Sequence, residues 1–281
     1  MPLAINRVTV FSTFKYIVYV FLAINVYLFF DEEFAAASLQ FPNGVTLQNL
    51  IEAYAATIDT AAWVILLLMF ELETYVLEDR HFTRPVFWTL HGLRFLCYAF
   101  IVYAFFGYIL NLAFVESAVP LQGVSDLCSL AGDQWAYAVD FDEYAVITAE
   151  NCRSFSSADS FLRFDGMQAV VDPSGFYAIM GLAWIDVVNA GVWLLVVLVL
   201  EADVRLQERN RYEGMALRIS NILKIVLYST LLFAAIYWGI EGDFVDFWDA
   251  FLWLVAFVFI ELNVFEWRQE TKEEAALGGT V

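Results

Sequence analysis

Apolar positions in this chain neither alternate nor recur every third or fourth place; they fill whole windows. A bilayer core takes about 20 apolar residues per helix, and windows of that size fall at 10–30, 54–76, 87–114, 175–202, 219–240 and 246–266. Each reads as a transmembrane helix, so the pattern predicts an all-α polytopic membrane protein with six spans. The first window is too long for the core of a cleaved leader and lacks a small-residue cleavage site, so it is expected to stay as a helix. Helix 1 is expected to end at Phe30-Asp31-Glu32-Glu33, Pro42-Asn43-Gly44 is a turn signal, and Arg84-Pro85 marks a helix start. Three regions follow: helices 1–3 in residues 1–114, an acidic extracytoplasmic loop in 115–173, and helices 4–6 with a short cytoplasmic tail in 174–281.

Polar residues within the apolar windows recur in register. Trp63 stands eight positions before Glu71, Trp193 before Glu201 and Trp253 before Glu261. Four positions before each tryptophan lies Asp59, Asn189 or Asp249, and two after each glutamate lies Glu73, Asp203 or Asn263. Trp135 and Glu143 share the spacing, so the motif draws its value from its place at the end of an even-numbered helix. The odd-numbered helices carry a second motif, a base followed four residues later by tyrosine: Lys15 and Tyr19, Arg94 and Tyr98, Lys224 and Tyr228. The two motifs together predict three helical-hairpin repeats, 1–2, 3–4 and 5–6. Each hairpin has a cation near the start of its ascending helix and carboxylates near the end of its descending one. An unpaired charge at a helix centre costs about 2.5–3.5 kcal/mol, so Lys15 is expected to pair with Glu71, Arg94 with Glu201 and Lys224 with Glu261. Pairing between neighbouring hairpins is equally allowed. The tyrosines are placed to reach the same carboxylates or the headgroups.

Charge sets the orientation. All the lysines and arginines except Arg153 and Arg163 fall at or near one side of the six windows. By the positive-inside rule this predicts a multi-pass cell-membrane protein with both termini cytoplasmic. Composition agrees: 61% of residues are hydrophobic and mean hydropathy is +0.66, against roughly 45–50% apolar residues in soluble domains. The net charge of -19, from 14 basic and 33 acidic residues, excludes a basic surface for nucleic acid.

The loop at 115–173 holds ten acids and two arginines. Cys128 and Cys152 both lie in it, on the oxidising side, and are expected to form a disulfide. Asp59, Asp186 and Asp249 are read first as helix N-caps and second as a mouth gathering cations. His81 and His91 have no second ligand at metal spacing, no nucleophile, phosphate-loop or dinucleotide motif is present, and no cofactor is expected. All five prolines fall outside the predicted helix interiors, unlike the broken helices of many transporters. The leading expectation is therefore a non-enzymatic structural or accessory subunit that binds lipid, other membrane proteins or a second copy of itself. The alternative is a cation or proton channel or transporter using Glu71, Glu73, Glu201, Asp203 and Glu261, since an intramembrane carboxylate is a functional candidate by default.

Overall fold

A computed structural model of the chain describes residues 7–73, 83–156, 158, 160–208 and 214–257. It is mostly helical, and four helices are long and apolar enough to cross a membrane: Ser12–Gln40, Arg84–Glu116, Pro173–Asp203 and Met215–Glu241. These lie within or coincide with α1 (Arg7–Gln40), α4 (Arg84–Glu116), α6 (Pro173–Glu208) and α7 (Met215–Glu241). Between α1 and α4 come a single turn, α2 (Leu50–Ala53), and α3 (Ala55–Glu71). The 17 residues of α3 give about 26 Å at 1.5 Å per residue, and helical structure continues through Leu72 and Glu73 to the edge of the described residues. A further helix, α8, runs through 244–257; the remainder of the sixth predicted window lies outside the described residues.

The long helices bury one stripe and expose apolar side chains on the rest. On α1 the stripe is Lys15, Val18, Leu22, Asn25, Phe29, Glu33 and Ala36, at three- and four-residue steps, while Val20, Tyr27 and Phe34 are exposed. That distribution suits lipid on the outside, where an exposed leucine or phenylalanine costs nothing. Helix α1 also runs past its expected end. Ala35-Ala36-Ala37 favours helix, and Glu33 stays ordered by accepting hydrogen bonds from the backbone N–H groups of Ala56 and Thr57 at 2.8 and 3.0 Å and the Thr57 hydroxyl at 2.6 Å. The N-terminus of α3 is thus capped by a carboxylate of a neighbouring helix, which satisfies two orphan donors and the positive end of the dipole.

The all-α expectation fails in residues 117–172, which fold onto one end of the helices as a five-stranded sheet. In chain order the strands are β1 (Val119–Leu121), β2 (Ala136–Ala138), β3 (Tyr144–Val146), β4 (Phe161–Arg163) and β5 (Ala169–Val171), and α5 (Cys152–Phe155) lies between β3 and β4. The spatial order is β1-β4-β5-β2-β3, with β2 and β5 parallel and the other pairs antiparallel. Asp165-Gly166, with Gly166 at φ +81, makes the β4–β5 turn, a conformation glycine adopts without strain. A Cys128–Cys152 disulfide ties α5 to the 3-10 turn before β2; closing a loop of this length contributes roughly 3 kcal/mol. The sheet does not stand apart. Ala138, Phe164, Ala169 and Val171 share one apolar cluster with Leu112 and Val115 of α4 and with Ile179 and Ala183 of α6.

Candidate functional site

Two charged layers lie at opposite ends of the helices, and they differ in how their charge is met. At the end away from the sheet, Lys15 Nζ lies 2.6 Å from Glu71 Oε1, and both side chains are almost wholly buried. The hydroxyls of Tyr16 and Tyr19 also donate to Glu71, at 3.0 and 3.5 Å. Arg94 pairs with Glu73 at 2.6 Å, not with Glu201. Lys224 pairs with Asp203 at 2.7 Å, and Ser220 donates to the same oxygen. Glu201 faces outward and meets Arg205 one turn along its own helix, a position that solvates both charges. Glu261 lies outside the described residues. Tyr98 is 39% exposed, and Tyr228 packs against the central apolar cluster. Each pair therefore joins a base to an acid, but two of the three acids stand two residues beyond the predicted glutamate or its equivalent. A long Arg or Lys side chain can reach either position; what decides is the helical face, which spacing along the chain does not give.

At the sheet end the acids line space. One cavity offers about 30 Å³ to the centre of a water molecule and is walled by Asp59, Asp246, Asp249, Asn189, Tyr108 and the tryptophans 63, 193, 238 and 253. A second, of about 40 Å³, is walled by Glu33, Glu52, Asp142, Asp186, Asp243 and Asp246, with Asn111 and Gln40. At roughly 10–15 Å³ per water, the first has room for two or three and the second for three or four. Phe29, Tyr108 and Asp246 line both, so the two are neighbours beneath the sheet, a vestibule in two parts. Its rim includes the β2–β3 connection, which carries Phe141 and Asp142 and is docked on α1 by a hydrogen bond from Gln40 to Tyr144 at 3.1 Å. Its floor is aromatic: Trp63, Trp193 and Trp253 meet pairwise at centroid separations of 5.9, 6.2 and 6.4 Å. Below them Val64, Leu67, Val196, Leu227, Ala256 and Phe257 pack into the same apolar cluster, so the vestibule is closed toward the paired layer.

Asp59, Asp186 and Asp249, expected as helix caps, are not caps. Asp59 and Asp249 lie in the second turns of α3 and α8, and Asp186 well inside α6. Asp249 accepts from Asn25 Nδ2 at 2.8 Å, and Asp186 from Trp238 Nε1 at 3.2 Å. Trp63 and Tyr108 are in hydrogen-bonding reach of Asp59, and Trp253 of Asp249. The caps are other residues. Asp172 accepts from Gly175 N–H at the start of α6, and Asp243 from Asp246 N–H at the start of α8. Among the described residues no base forms an ion pair with a vestibule acid. At the rim, burial together with Asp243, Glu143 and Glu241 nearby pushes the Asp140 carboxyl up to about 6. Burial also raises Asp142 and Asp243 above the usual carboxylate range.

Asp59, Asp186, Asp249 and the three tryptophans stand out in the sequence by position and spacing, whereas Asn25, Tyr108 and Trp238 belong to no such pattern. Asn25 and Asn111, amides in the middle of apolar windows, were the available signal, since polar groups at that depth are costly. Among the described residues no three His, Cys, Asp or Glu side chains are grouped to hold a metal ion. The chain matches no protein-family model, no curated protein and no solved structure.

Proposed function

We propose that the chain is a six-helix membrane protein of three helical hairpins that takes a cation or proton from outside into the sheet-end vestibule, as the entry half of a channel or transporter. The carrying observation is the contrast between the ends: the acids of one are matched by Lys15, Arg94 and Lys224, and those of the other line a cavity with no base among the described residues. Burying one unmatched carboxylate costs several kcal/mol, and a site with several is complete when positive charge enters it. On this reading α3 and α8 are the second and sixth spans, and the sheet faces outward because the basic residues gather at the other end. The inner pairs set helix register, and Glu71, Glu73 and Asp203 do not conduct. The tryptophan floor closes the path inward, an arrangement that suits one side of an alternating cycle.

The test is cation-dependent tryptophan fluorescence of the purified full chain at pH 7.5, followed by uptake into reconstituted vesicles. Both responses are expected to disappear in Asp59→Asn/Asp249→Asn with the helical spectrum retained. The same responses in that variant as in the unsubstituted chain would refute the proposal. A second reading, an accessory subunit meeting a partner outside, has one observation in its favour: β3 is an edge strand with Val146 half exposed, open to pairing with another chain.

A further inference from the structure

We infer that the inner cavity, walled by Asp59, Asn189, Asp249 and the three tryptophans, is a selective site for a small primary ammonium ion of methylammonium size. The inference rests on the vestibule reading above and names its ligand class.

In two of the three equivalent positions the carboxylate is within reach of the indole four residues further on, Trp63 for Asp59 and Trp253 for Asp249. In the third, Asn189 Oδ1 is buried in the cavity wall and has no hydrogen-bond donor among the described residues. Asn25, wholly buried, gives its amide to Asp249 and its own Oδ1 likewise has no donor. Buried acceptors are normally satisfied. In this wall Asn189 Oδ1 is thus an acceptor left over, with Asn25 Oδ1 another behind Asp249, and the complement of such an acceptor is a group that donates. A primary ammonium carries three N–H donors and no acceptor, one for each of Asp59, Asn189 and Asp249.

Size and aromatic content narrow the choice. A cavity with room for two or three waters fits a cation of two heavy atoms. The indoles tilt 55–65° to one another, so they form a concave wall rather than a flat stack. Indole faces attract ammonium groups most strongly where water is excluded. Divalent metal ions need six or more oxygens, or a near-ideal octahedron, and the described acids are too dispersed to supply one.

The full chain in detergent is titrated at pH 7.5 and constant ionic strength with methylammonium, tetramethylammonium, sodium, potassium and calcium chlorides, reading tryptophan fluorescence. Methylammonium is expected to act at a concentration at least about tenfold below sodium or potassium, and tetramethylammonium, which has no N–H, to act more weakly. Asn189→Leu is expected to weaken methylammonium about tenfold, the usual scale of one lost hydrogen bond to a charged group, and to leave the sodium response in place. Asn189→Asp is expected to tighten methylammonium, a gain that misfolding cannot produce. If Asn189→Leu does not fold, the Asn189→Asp result and the methylammonium-to-sodium ratio of the unsubstituted chain decide. Sodium, potassium or calcium acting as well as methylammonium would overturn this inference and leave the vestibule reading standing. No response to any cation would overturn both.

Discussion

Lys15 is 4% exposed and Glu71 6%, so each charge is tolerated because the other is 2.6 Å away. Removing one partner of a buried pair takes away the counter-charge nearest the other, at about 3–5 kcal/mol, whereas replacing both with apolar groups of similar volume is often neutral. Lys15→Met alone or Glu71→Leu alone is expected to lower stability by that amount in chemical denaturation, and the double variant to recover most of it; additive losses would show that the contact is not what holds the residues. Asp140 behaves differently because it is largely buried and its neighbours are acids. With its carboxyl at about 6 in the fold and near 4 when unfolded, the folded state holds a proton that the unfolded state has released. Stability contributed by this group is therefore full below pH 4 and falls as pH rises through 6. Asp140→Asn is expected to flatten the decline between pH 4 and 6 in a series of thermal melts, and an unchanged slope would contradict the assignment. The depth of Lys15 and the neighbours of Asp140 show where a sequence stops being informative. That Lys15 needed an acid followed from its place in an apolar window, but which acids surround Asp140 depends on a sheet folding back over two helix ends.

At the scale of elements, long apolar windows were legible because each helix satisfies its own backbone whatever its neighbours do. The sheet was not. Its strands are three residues each, too short to show a period, and they are held by pairing across up to 44 positions of sequence, as in Val119 with Arg163. The Asp165-Gly166 turn was the one local clue. The contact of α4 with α2 and α3 was equally hidden, since it depends on what glycine lacks. A Cβ on Gly107 would lie 2.6 Å from the carbonyl oxygen of Ile51 and 2.9 Å from Ala55 Cβ. Backbone cannot yield to that as a flexible side chain would. Gly107→Ala is expected to destabilise by about 1–3 kcal/mol, the scale of overpacking, despite the better helix propensity of alanine. Gly92→Ala, on the same helix with nothing within 4 Å, is expected to be neutral or stabilising. Equal effects at the two positions in thermal melts would show that α4 does not pack as described.

For the whole molecule the question is whether positive charge stabilises it through one site or through its surface. A chain of net charge -19 is expected to gain stability from any salt, because screening relieves self-repulsion. A bound cation adds a saturable term, about 2.7 kcal/mol at a hundred times its dissociation constant. The two separate when charge is removed in different places. Asp142→Asn/Asp246→Asn deletes two vestibule acids, and Asp133→Asn/Glu150→Gln deletes two exposed acids of the sheet region, so both variants lose the same number of carboxyl groups. If the vestibule binds, thermal melts in rising salt at pH 7.5 keep the saturable rise in the surface variant and lose it in the vestibule variant. Lowering the pH toward 5 should remove it from the unsubstituted chain as well, since protons then occupy rim carboxyls such as Asp140. If screening alone operates, the two variants respond alike and the rise continues without saturating. That result would leave the unmatched acids as a feature of the surface field rather than a site.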